Sequence, residues 1–339
     1  MTMRSGGAAD RRAFVSTFVT MGAAGALLLP RSAFAQQPAG RVARVGYLTP
    51  SSVSARGGML ELRQRLRDLG YVEGRDVRFE IRAANEDFER LPDLAADLVR
   101  SGVDLIVAVS SPAIRAAENA TSTIPIVMLS GTDPVAGLFV ASLARPGSNV
   151  TGVTTYLPEL AGKRLEVLRE CLPGLRRVAV LANLRNPSSA AETKETEAAA
   201  RTMALEIQVA DARLPEQYPE AFASMTRGGA RAVFVTADPI LSSNRERILQ
   251  LAASHRLPAM YEWPEIVEAG GLLSYGPSLA EINTRVAAYV DKILKGAKPA
   301  DLPVERPTRF ELALNLKTAA ALGITIPAAM VARAGRVIR

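Results

Sequence analysis

Short apolar runs alternate with longer amphipathic stretches along most of the chain, the pattern that separates strands from helices. Val42–Leu48 predicts a strand, and Gly57–Leu69 a helix ended by Gly70. The cycle repeats with Asp76–Ile81 and Leu91–Arg100, then with Val103–Val109 and Ala113–Ala120, and Ile126–Leu129 adds a fourth strand. Val103–Val109 is apolar almost throughout, as expected of a strand buried on both faces of a parallel sheet. After Val150–Thr155 and a helix over Leu160–Cys171 the rhythm restarts. Strands Val178–Ala182, Glu206–Ala210 and Ala232–Thr236 then alternate with helices Ala190–Met203 and Glu216–Met225. Such alternation implies right-handed crossovers and parallel sheets covered on both faces by helices, an α/β architecture.

Two segments of the chain echo one another. GVDLIVAVSSPAIRAAENATSTIPIVML opens at Gly102 and GARAVFVTADPILSSNRERILQLAASHRLPAMY at Gly229. Both read as strand, polar turn, proline near a helix start, helix, turn, proline and strand, so Pro112 matches Pro239 and Pro125 matches Pro258. Any two β–α–β units share this outline, so the echo is a structural likeness and not a strict repeat. A length of 339 residues holds two such units, each with its own core. Asn149–Thr155 and Gly270–Gly276 are candidate crossing strands between two α/β lobes, with helix Ala280–Leu294 rejoining the first lobe and Phe310–Leu316 crossing again. The expected division is 42–150 with 276–305 for one lobe, and 151–275 with 306–333 for the other.

The N-terminal region does not follow this rhythm. Arg4 and Arg11-Arg12 lead into the largely apolar Ala13–Leu29, followed by the small-residue site Ala33-Phe34-Ala35. These three parts predict a secretory signal over residues 1–35, cleaved after Ala35, and a periplasmic mature protein. The arginine pair ahead of Phe14 resembles a twin-arginine signal, and Arg31 near the cleavage site is a further trait of that kind. An ordinary Sec signal is the alternative. A membrane anchor is disfavoured, because about 17 moderately apolar residues are marginal for spanning.

Composition narrows the classes. Hydrophobic content of 48% with 22% charged residues is ordinary for a folded protein. The formal charge is +7, and residues 1–35 supply +3 of it (four Arg, one Asp), leaving +4 for the remainder. With no basic run interleaved with aromatics, nucleic-acid binding is not expected. Cys171 is the only cysteine, so there is no internal disulfide, and none stands near the cleavage site to accept a lipid. It lies in an apolar-periodic stretch, where a small buried hydrophobe is the expected role.

In open parallel sheets, ligands bind beyond the carboxyl ends of the strands, near helix N-termini. That rule selects Thr49 and Ser51, then Ser110 and Ser111, then Thr132 and Asp133, with Thr154 and Thr155 on the crossing strand. The second lobe offers Asn183, Asp238, Tyr261 and Glu262, with Tyr275 near the return crossing. Hydroxyls and free N–H groups at helix starts suit a carboxylate, and Asp238, Glu262 or Asp133 an ammonium group. Tyr47, Tyr156, Tyr261, Trp263 and Tyr275 could supply flat apolar contact. Each has a plainer reading: Ser110, Ser111 and Asp238 as helix caps, Asp133-Pro134 as a turn starter, the aromatics as packing.

Catalytic signatures are weak. His255 is the only histidine and lies late in a helix, and one His with one Cys makes no zinc cluster. The stretch Gly46–Ser51 is not a dinucleotide loop, and no Walker A or nucleophile-elbow motif is present. No catalytic residue, metal or cofactor is expected.

Several motifs carry a family likeness. They include Gly70-Tyr71-Val72-Glu73-Gly74, Ile124-Pro125-Ile126-Val127, Asp133-Pro134-Val135, the run Leu143–Gly152 and Tyr261-Glu262-Trp263. Ala269–Ser278, Ile293–Val304 and Phe310-Glu311-Leu312 complete the set. Over roughly residues 42–333 the chain resembles ABC transporter substrate-binding proteins related to tryptophan-binding lipoproteins. The resemblance implies a type I periplasmic binding protein: two Rossmann-like lobes, joined by crossing hinge strands, that close on a small amino-acid-like or aromatic acid ligand. It implies an ABC permease in the inner membrane as partner. A monomer is expected, and with no lipobox cysteine, one free of a lipid tether. The likeness puts Ser110, Ser111, Thr132 and Asp133 on one wall, Thr154 and Thr155 at the hinge, and Asp238 and Glu262 opposite. Alternatives are a sensing module for a membrane receptor and a secreted α/β enzyme using Asp133 or Glu262 as base. A ligand-responsive DNA regulator of this architecture would need a headpiece where residues 1–40 read as a signal.

Overall fold

The computed structural model describes residues 41–52, 57–155 and 157–339. The predicted signal, its cleavage site and Tyr156 lie outside the described residues.

The first sheet is fully parallel. Its strands are β1 (Ala43–Thr49), β2 (Val77–Ala83), β3 (Leu105–Val109), β4 (Ile126–Ser130) and β5 (Val150–Thr154), in the order β2-β1-β3-β4-β5. Register places Val45 beside Leu105, and Ile126 beside Val150. Helices α1 (Gly57–Asp68), α2 (Leu91–Arg100) and α3 (Ser111–Ala120) make the crossovers. The apolar runs read from the sequence serve both faces: Leu98, Ile106 and Ile114 pack together on one, Leu62, Leu105 and Val107 on the other.

The chain then enters a second sheet through α4 (Ala161–Cys171) and β6 (Arg177–Ala182). α5 (Pro187–Thr202), β7 (Glu206–Asp211), α6 (Tyr218–Arg227) and β8 (Ala232–Val235) follow. The helix expected after Pro239 is two helices, α7 (Pro239–Ser243) and α8 (Arg245–Ser254), with Asn244 ending one and starting the other. This break takes up the six extra residues that the second echoing segment carries between its prolines, Pro239 and Pro258, relative to Pro112 and Pro125 of the first. Next come β9 (Ala259–Tyr261), α9 (Pro264–Glu268) and β10 (Leu273–Gly276). Helix α10 (Leu279–Leu294) returns to the first sheet, where Ile282, Val286 and Val290 join the core of Val45 and Leu62. Glu305 then lies beside Val153, and Thr154 N–H donates to its carbonyl at 3.0 Å.

β11 (Glu311–Asn315), α11 (Leu316–Leu322), α12 (Ala328–Arg333) and β12 (Arg336–Ile338) complete the second sheet, ordered β12-β11-β10-β9-β8-β6-β7. One pairing departs from the all-parallel expectation: β11 runs antiparallel to β10. Apolar patterning marks a strand but not its direction, which here follows from the route back out of the first lobe. Among the described residues, no helix is long and apolar enough to cross a membrane.

Candidate functional site

The carboxyl ends of the two sheets face each other across a cavity of about 400 Å³. Thr49 reaches it from the end of β1 and Ser51 from just beyond, Ser110 from beyond β3, Ser130 and Gly131 from the end of β4, and Thr155 from beyond β5. Opposite them stand Asn186 and Ser188 at the start of α5, Asp238 after β8, and Trp263 after β9. Tyr47, Val109, Leu129, Ile266 and Leu279 add apolar lining. The lobes touch at the rim, where the Ser51 hydroxyl donates to the Pro239 carbonyl at 2.9 Å.

Local geometry explains several of these placements. Ser110 is the N-cap residue of α3, yet its side chain makes no cap hydrogen bond and its hydroxyl is buried without a partner. Its backbone sits at φ 78°, ψ 155°, a region nearly reserved for glycine that costs a side-chain-bearing residue about 1–3 kcal/mol. Asp238 does cap a helix. One carboxylate oxygen accepts from Ile240 N–H (2.8 Å) and Leu241 N–H (3.0 Å), the other from Asn183 (3.2 Å) and Asn186 (2.8 Å). Burial pushes the Asp238 carboxyl above the usual carboxylate range, and those four donors pull it back.

Of the residues selected from sequence, Thr49, Ser51, Ser110, Thr155 and Asp238 line the cavity, as do the aromatics Tyr47 and Trp263. Others lie just behind it. Ser111 and Thr132 share a hydroxyl contact at 2.9 Å, Thr154 donates to the Thr132 carbonyl at 2.8 Å, and Asn183 holds Asp238. Four stand elsewhere. Asp133 accepts from the N–H groups of Val135 and Ala136, the turn arrangement its Pro134 neighbour suits. Tyr261 packs in the core with Phe222 and Ile266, and Tyr275 stacks on Phe310 with ring centroids 6.5 Å apart.

Glu262 is fully buried behind the wall and accepts from the Ser242 hydroxyl. Burial raises its carboxyl to about 7, against the pull of the Arg164 guanidinium. Arg164 forms a buried ion pair with Glu192, donates to the Val235 carbonyl at 2.8 Å, and lies 4.2 Å from the Phe234 ring centroid. Glu192 in turn accepts from Ala237 N–H at 2.7 Å, so this charge cluster fixes the strand end that carries Asp238. Among the described residues, no group of three or more His, Cys, Asp or Glu could hold a metal ion.

Sequence reasoning missed Asn186, Ser188, Arg245, Glu265 and Asn283, all of which line the cavity. The polar turn Asn183–Asn186 and the first residues of α5 held the signal for the first two, since they follow a strand end. Glu265 stands in the first turn of α9, soon after β9, where the strand-end rule reaches, whereas Asn283 sits inside α10, where that rule is blind. One Glu265 oxygen accepts from the Ser278 hydroxyl at 3.0 Å, and the other is buried without a partner.

Residues 48–338 match the profile of a family described as ABC transporter substrate binding protein. A tyrosine-binding protein of Clostridioides difficile (strain R20291) is 27% identical over 273 residues, covering 80% of this chain and 77% of that protein. An ABC domain from Streptococcus pneumonia, solved in complex with L-Trp, superposes with a TM-score of 0.77 at 26% identity, covering 88% of this chain and all (100%) of that one. A conserved domain protein from Vibrio cholerae O1 biovar El Tor strain N16961 gives a TM-score of 0.79 at 26% identity, with coverage of 88% and 100%.

Proposed function

The chain belongs to the ABC transporter substrate-binding protein family, and from that premise we propose that it is a periplasmic receptor for an amino-acid-like or aromatic acid solute. The observation that carries this reading is the cavity, walled by polar strand ends of both lobes and floored by aromatic and aliphatic side chains. Its volume of about 400 Å³ falls in the range of small-molecule pockets. A solute that touches both walls stabilises the closed arrangement over an open one, which makes binding a closure switch. The uncapped start of α3 offers N–H groups to a carboxylate. Glu265, which lines the cavity and has one carboxylate oxygen without a partner, gives the far side negative charge for an ammonium group. The tyrosine and L-Trp bound by two relatives support a ligand of this class.

In this reading Arg11-Arg12 directs export, cleavage follows Ala35, and the soluble monomer presents its closed form to a permease in the inner membrane. Native mass spectrometry of the protein from a periplasmic extract tests both halves. A mass beginning at Gln36 with a small-molecule adduct is expected, and the adduct should be recovered chemically unchanged. Added L-tyrosine or L-tryptophan should displace it and change the fluorescence of Trp263, the single tryptophan. No adduct and no response to any amino acid would reject the receptor reading.

A further inference from the structure

We propose that Ser188 binds the acidic group of the solute from the second lobe, opposite Ser110 of the first, and that Gly131 lets it close on that group. This rests on the amino-acid-receptor reading above. Ser110 and Ser188 are 5% and 3% exposed, both line the cavity, and neither hydroxyl has a hydrogen-bond partner. A buried hydroxyl left unpaired is costly, so two of them in one cavity point to a group that pairs both. They stand at the N-termini of α3 and α5, helices of 10 and 16 residues that belong to opposite lobes. The positive ends of both helix dipoles therefore favour an anion there over a cation. Glu61, Asp238 and Glu265 also line the cavity; Asp238, tied to Asn186 at the start of α5, is the one beside Ser188, and its four donors already satisfy it.

Gly131 supplies the second observation. A Cβ on Gly131 would lie 2.2 Å from the Ser188 hydroxyl oxygen and 3.2 Å from the Ser188 Cβ. Any side chain there would hold the start of α5 away from the end of β4. Rotating the serine hydroxyl frees the oxygen but leaves the two carbons pressed together. Alanine is therefore a mild wedge and valine a strong one. The acidic group thus acts as a cross-link that completes its own site only when the lobes meet.

Calorimetric titration with L-tyrosine and L-tryptophan, each beside its carboxamide, tests the proposal. Wild-type protein should prefer acid over amide by about tenfold or more, since a charged partner of the hydroxyls is lost. Ser188→Ala should weaken acid binding by about tenfold and narrow the acid-to-amide ratio. Gly131→Ala and Gly131→Val should weaken binding in that order without lowering the melting temperature of the free protein. In a Ser188→Gly background, Gly131→Ala should cost almost nothing. An acid-to-amide ratio unchanged in Ser188→Ala, or equal binding of acid and amide by wild type, would overturn the proposal while leaving the receptor reading intact. If wild type binds neither acid, the reading falls and takes the proposal with it.

Discussion

Glu262 shows how far a residue's surroundings can move its chemistry. Its carboxyl rises from an ordinary 4.5 to about 7 because burial outweighs the attraction of Arg164 and the hydrogen bond from Ser242, with Glu192 adding repulsion. The folded protein therefore holds this proton more tightly than the unfolded chain does. The associated stability is fully present below about pH 4.5, is lost as pH rises to about 7, and is flat above that. Glu262→Gln keeps the shape and removes the charge. It should match wild type at pH 4.5 and exceed it at pH 8 by on the order of 1–3 kcal/mol, read from urea unfolding at both values. A variant with the same relative stability at both pH values would mean that folding does not raise the Glu262 carboxyl. The sequence could point to Tyr261-Glu262-Trp263 as a strand end but could not rank the three by depth. The structure puts Trp263 on the cavity, and Glu262 and Tyr261 behind it.

At the scale of elements, the strand–helix rhythm was readable because apolar runs and amphipathic stretches differ in period, and Leu91–Arg100 matches its expected span in full. The split at Asn244 was missed although Ser242-Ser243-Asn244 is a polar cluster that can mark a break, because apolar positions resume on both sides of it. Short edge strand β12 was missed for a related reason: three residues are too few to show a period. Gly152 on β5 is where sequence and register meet most tightly. It sits at φ +136°, and a Cβ there would lie 2.3 Å from the Met128 carbonyl oxygen and 2.7 Å from the Met128 nitrogen. Both obstacles are backbone of the paired strand β4, so no side-chain rotation relieves them. Gly152→Ala should lower stability by about 3 kcal/mol or more, seen as an earlier thermal unfolding transition. A melting temperature within a degree or two of wild type would show that the β4–β5 pairing gives way easily.

Over the whole molecule, the hydrogen bonds and ion pairs between the lobes include, among the described residues, several at the rim of the cleft. Ser51 reaches the Pro239 carbonyl, Asn244 donates to Glu86 at 3.0 Å, and Arg185 pairs with the exposed Glu89. Exposed pairs of the last kind contribute about 0–1 kcal/mol, so that pair adds little to closure compared with a solute that touches both walls. Solution scattering should therefore show a smaller radius of gyration with saturating amino acid than without, and an unchanged curve would mean that the cleft does not open. The route of the chain adds a different consequence. The strands of the first sheet are all present by Thr154, but the helix that covers Val45 and Leu62 arrives only at Leu279–Leu294. The second sheet waits longer still, for β11 and β12 at residues 311–338. A chain emerging from the ribosome thus has no finished half to set aside. Both lobes carry bare apolar faces until nearly the whole sequence has been made, which leaves a long interval in which a holding chaperone can act.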